Sequence, residues 1–76
     1  MKYSRQRELI LNNVIDSKGH PTADDVYDDL KKANPSLSLG TVYRNLTQLE
    51  KNGMLKKVNI PGDPVRFEAN LTDHNP

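Results

Sequence analysis

The chain has 76 residues, a net charge of +1, 28% charged residues and no cysteine. That length allows one domain, whose folding removes roughly 60% of the unfolded chain's surface from water. The absence of cysteine excludes disulfides and thiolate metal sites. With no apolar run long enough to cross a membrane and no apolar signal region at the N-terminus, a cytoplasmic protein is expected.

A first helical pattern opens near Ser4, a candidate N-cap. Leu11, Val14 and Ile15 share a face, which Leu9 and Ile10 widen. The pattern stops at DSKGHP, where Gly19 suits a C-terminal cap and Pro21 blocks continuation. A second helix opens at Thr22, with Asp25 three residues on as the other half of a capping box. Its apolar face is Ala23, Val26, Tyr27 and Leu30, and Asn34-Pro35 ends it because proline pushes its predecessor out of the helical region.

The third helix is SLGTVYRNLTQLEKNG, with Ser38 as N-cap and Gly53 where a left-handed residue is wanted. Leu39, Val42, Leu46 and Leu49 form its apolar face. Two strand-like runs follow, MLKKVNI and VRFEA, joined by a turn at PGDP. In the second run Val65, Phe67 and Ala69 lie on one side and Arg66 and Glu68 on the other, so Val65 and Phe67 are expected to dock on the helices. Three helices followed by a two-stranded hairpin predict an α+β, mostly α, winged helix-turn-helix over residues 1–70, and the Asn34–Leu37 link has a suitable length for the turn.

Charge is segregated along this order. Residues 21–37 carry a net −2, whereas residues 38–57 hold Arg44, Lys51, Lys56 and Lys57 against Glu50, a net +3. A one-sided basic surface on a near-neutral domain suits a polyanion, although solvated charged faces are also common. The outer face of the third helix presents Thr41, Arg44, Gln48 and Lys51, none of them acidic. In a helix-turn-helix that helix enters the major groove, where Arg pairs with guanine and Gln with adenine, and Thr41 can meet a phosphate or a thymine methyl. Gly40 on its first turn lets a DNA backbone come close. Tyr43, about 80° from the centre of the apolar face, fits a core edge or an outward contact equally. Lys56, Lys57 and Arg66 on the hairpin can touch phosphates as a wing does, or serve only to keep an edge strand from pairing.

His20 precedes the second helix, Glu68 ends the second strand and His74 lies in the tail. Two imidazoles and a carboxylate can bind a first-row divalent metal if the fold brings them together, but spacing alone gives no such proximity. No glycine-rich phosphate loop or nucleophile–base pair is present, so an enzyme is not expected.

Taken together, HPTADDVYDDL, SLGTVYRNL, KNGMLKKV and RFEAN…DH resemble, in order and over nearly the whole chain, the ferric uptake regulator (Fur) family with its iron-, zinc- and peroxide-responsive branches. The resemblance implies a metal-dependent, dimeric bacterial transcription repressor whose N-terminal domain is a winged helix acting on double-stranded DNA at an AT-rich inverted repeat. It places Tyr43 and Arg44 in the major groove and Lys2 in the minor groove. It also implies a regulatory site for iron, zinc or manganese, to which His20, Glu68 and His74 contribute while Pro76 stands where a further histidine belongs. Glu68 rather than Asp leans toward iron or zinc sensing.

The family's CxxC pairs and α/β dimerisation domain have no counterpart here, which implies a DNA-binding domain with a hinge remnant at 71–76 and weak or no metal binding in this chain. Two other functions fit the same residues: a winged-helix protein-interaction module, and a metal-sensing fragment without DNA binding of its own.

Overall fold

The structure, a computed structural model, describes residues 5–17 and 19–70. Three helices, α1 (Arg5–Asp16), α2 (Ala23–Lys31) and α3 (Leu39–Lys51), precede a hairpin of β1 (Leu55–Val58) and β2 (Arg66–Ala69). This is the expected winged helix. The candidate cap Ser4 and the residues Lys2, His74 and Pro76 lie outside the described residues.

Local chemistry explains where the elements begin and end. α1 closes on Ser17, whose Oγ and N both donate to the Asn13 carbonyl at 2.8 and 3.1 Å. Gly19 lies beyond those closing contacts. α2 opens with a complete capping box: the Asp25 N–H donates to Thr22 Oγ1 and the Thr22 N–H donates to Asp25 Oδ2. α3 opens on Ser38, whose Oγ accepts from the Thr41 N–H. It closes in a Schellman motif, with Gly53 at φ +82° and bonds from Gly53 N to Glu50 O and Met54 N to Leu49 O. At the hairpin tip Pro61 and Gly62 (φ +83°) form a turn closed by the Asp63 N–H on the Ile60 carbonyl, 2.9 Å.

The core gathers Ile10 and Val14 from α1, Ala23 and Val26 from α2, Leu37 from the link, Val42, Leu46 and Leu49 from α3, and Leu55 and Phe67 from the hairpin. Leu11, Tyr27, Leu30 and Ala69 pack around it. The strands pair antiparallel, Leu55 opposite Ala69 and Lys57 opposite Phe67.

Two side chains expected in the core are outside it. Ile15 is 40% exposed, because the buried face of α1 is centred on Ile10 and Val14 and Ile15 lies about 120° away. Val65 is also 40% exposed, since β2 starts only at Arg66 and Val65 lies in the irregular link after Pro64. Leu39, at the first position of α3, is half-buried rather than buried.

One connection was not foreseen. The Pro21–Thr22 segment runs beside β2: the Phe67 N–H donates to the Pro21 carbonyl at 2.9 Å, and Thr22 bridges Arg66. It acts as a minimal third strand that ties the hairpin to the start of α2.

Candidate nucleic-acid interface

α3 buries one face and presents the other to solvent. Arg44, Gln48 and Lys51 are exposed, Thr41 is half-buried, and Tyr43 is 51% exposed. Tyr43 therefore has a large outward surface, beyond that of a side chain sealed at a core edge. The Thr41 hydroxyl accepts from Ser38 Oγ at 2.9 Å, so part of its bonding capacity belongs to the helix start. Among the described residues a Cβ built on the exposed Gly40 would meet only Ser38 Oγ, at 4.0 Å, so their packing does not require glycine there.

Two residues outside the sequence-based set orient this helix. Asn45, 7% exposed, is buried on the flank of α3's apolar face, where its Nδ2 donates to the Thr41 carbonyl at 2.9 Å. Its Oδ1 accepts from Arg7 Nε of α1 at 3.3 Å. A buried amide needs partners on both ends, and here they come from its own helix and from α1. The sequence signal was the position of Arg7, three residues before Ile10 and so on the inward face of α1.

The hairpin lysines separate. Lys56 and Lys57 are both exposed but are neighbours on one strand, so they project to opposite faces of the sheet. Arg66 is bonded within the protein: Nε to Asp63 Oδ2 at 3.1 Å and Nη1 to the His20 carbonyl at 2.9 Å. It anchors the turn and the third-strand segment.

His20 and Glu68 are brought together by that same segment. His20 Nε2 lies 2.7 Å from Glu68 Oε1, both side chains partly exposed. An imidazole nitrogen beside a carboxylate oxygen is a donor set that suits first-row divalent ions. His74 lies outside the described residues, and among the described residues no three His, Cys, Asp or Glu side chains form a metal-binding group. No helix among the described residues is long and apolar enough to cross a membrane.

The model of the ferric uptake regulator family matches residues 1–75. The chain belongs to the ferric uptake regulator family. The peroxide operon regulator of Bacillus subtilis is 35% identical over 74 residues, which cover 97% of this chain and 51% of that protein. The peroxide-responsive repressor PerR of Staphylococcus aureus is 34% identical, with 97% and 50% covered. Among solved structures, PerR from Streptococcus pyogenes superposes with a TM-score of 0.85 at 33% identity, covering 91% of this chain and 48% of that one. The iron-bound ferric uptake regulator of Francisella tularensis gives 0.84 at 29%, covering 97% and 57%. The chain thus spans about half the length of the curated relatives it matches. The family's winged-helix arrangement of three helices and a hairpin is the fold described above.

Proposed function

We propose that this chain is the sequence-specific DNA-binding unit, residues 1–70, of a metal-responsive transcriptional repressor, with residues 71–76 leading toward a dimerisation domain. The observation that carries the reading is the solvent face of α3, where Tyr43, Arg44, Gln48 and Lys51 stand exposed without an acidic residue among them. Membership of a family whose relatives are named as repressors and regulators supports it.

In this reading α3 lies in the major groove. Arg44 donates two bonds to a guanine edge, Gln48 pairs with adenine, and Tyr43 lays its ring on a base methyl or a sugar. Thr41 and Lys51 meet the flanking phosphates, Lys2 reaches the adjacent minor groove, and a wing lysine, Lys56 or Lys57, contacts the backbone beyond. Arg66, already bonded to Asp63 and the His20 carbonyl, holds the wing in place. The partner is an AT-rich inverted repeat read by two copies of the protein.

The regulatory ion, iron, zinc or manganese, would be held by His20 and Glu68 with His74 as a third donor. It would supply a cross-link between the start of α2, the end of β2 and the hinge. With Pro76 at the fourth position, this chain alone holds metal weakly.

The test is fluorescence anisotropy on an AT-rich inverted-repeat duplex at low salt, for wild type and Arg44→Ala. Losing a bidentate base contact costs about 1–3 kcal/mol, so the variant should bind about 5- to 150-fold more weakly. Equal binding by the variant, together with affinity that does not fall as salt is added, would refute the proposal and favour a protein-interaction module.

A further inference from the structure

We propose that the cleft between the N-terminal halves of α1 and α3 is a subsite for one backbone phosphate, with Arg7 as its fixed cation and Gln6 on its rim. This rests on the DNA-binding reading, and adds to it two residues of α1 that the face of α3 does not include.

The cleft, about 270 Å³, is lined by Gln6, Arg7, Thr41, Arg44 and Asn45. Among the described residues two guanidinium side chains border it and no carboxylate does. Two other surface clefts differ in this respect: one is lined by Asp25 and Asp29, the other by Glu8. At about 30 Å³ of liquid volume per water, the α1–α3 cleft has ample room for a phosphate group. Its lining otherwise consists of hydrogen-bonding groups. The Thr41 hydroxyl accepts from Ser38 Oγ, which leaves its own proton to donate, and the exposed Gln6 carboxamide can donate as well.

The Arg7 side chain is held in place before any ligand arrives. Its Nε donates to Asn45 Oδ1 at 3.3 Å, and Asn45 in turn donates to the Thr41 carbonyl at 2.9 Å. Asn45 is buried, so this connection does not wander as a surface bond would. An arginine fixed in this way loses less rotamer freedom on binding than a free surface arginine. The consequence is a division of labour. A phosphate seated between Arg7 and Thr41 sets the register of α3 on the duplex, while Arg44 on the same cleft's edge is free to turn to a base. Phosphate contacts position and base contacts specify.

The experiment compares wild type, Arg7→Gln, Gln6→Glu, Asn12→Glu and Arg44→Ala on the AT-rich inverted-repeat duplex and on a GC-rich duplex of unrelated sequence, each over a range of salt. Asn12 is exposed on α1, away from the cleft, and controls for the added charge. The subsite requires Arg7→Gln to weaken both duplexes by the same factor and to flatten the log–log salt slope by about one. It requires Gln6→Glu, which places a carboxylate where the phosphate would sit, to weaken both duplexes more than Asn12→Glu does. Should Arg7→Gln fail to fold, as thermal unfolding would reveal, Gln6→Glu against Asn12→Glu decides alone. If Gln6→Glu matches Asn12→Glu and any folded Arg7→Gln keeps the wild-type slope, the subsite is overturned, while a loss of sequence preference in Arg44→Ala still upholds the DNA reading. Absence of salt-dependent duplex binding by wild type overturns both.

Discussion

Asn45 shows how one buried residue can tie a candidate interface helix to its neighbour. A polar side chain inside an apolar cluster is costly unless its bonds are made, and here both ends of the amide are used. Gly40 is the converse case, a residue that packing does not require. Alanine at this position fits the space and should stabilise the first turn of α3 by about 0.5 kcal/mol, since glycine is a poorer helix former. If Gly40 is bare so that a DNA backbone can approach, Gly40→Ala should raise the thermal midpoint while lowering duplex affinity. Parallel melting and anisotropy measurements check this, and an unchanged affinity would remove Gly40 from the interface. At this scale the outward set Thr41, Arg44, Gln48 and Lys51 was legible from helical spacing. The Arg7–Asn45 bond was not, because it joins residues 38 positions apart.

At the scale of elements, most boundaries are written in a few side chains. Thr22 with Asp25, Ser38 with Thr41, and Gly53 after α3 act within four residues of the ends they cap, so reading the chain locally finds them. The Thr22 cap contributes about 1 kcal/mol, so Thr22→Ala should lower the thermal midpoint by about 4–8 °C in a domain of this size. Calorimetry would register the shift, and because Thr22 is remote in role from α3, duplex affinity measured well below the transition should stay near wild type. Ile15 and Val65 show where local reading ends. Each is apolar and adjacent to a buried neighbour in the pattern, yet each is exposed. For Ile15 the direction of the partner helices chose a different stripe of α1. For Val65 the strand simply began one residue later.

At the scale of the whole molecule, three long-range contacts assemble what the chain separates: Phe67 on Pro21, His20 on Glu68, and Arg7 on Asn45. The first places the wing, the second joins two candidate metal donors, and the third sets α3 against α1. On the proposed function an inverted repeat is read by two such units, and joining them raises the effective concentration of the second. A fusion of this chain to a short parallel coiled coil, through a flexible linker long enough to span both half-sites, should bind an inverted-repeat duplex about 10²- to 10⁴-fold more tightly than the single chain. Titration of both proteins on full-site and half-site duplexes measures the gain, which should vanish on the half-site. The sequence by itself determined the order of elements, the caps of α2 and α3, most of the apolar faces of those two helices and the basic character of α3, because these depend on spacing within one or two turns. Only the tertiary structure decided that Tyr43 stands open, that Arg66 is bonded inward, that Asn45 is buried and that His20 meets Glu68. Those outcomes depend on how helices and hairpin pack, and a packing direction is a property of all the faces together that no single segment encodes.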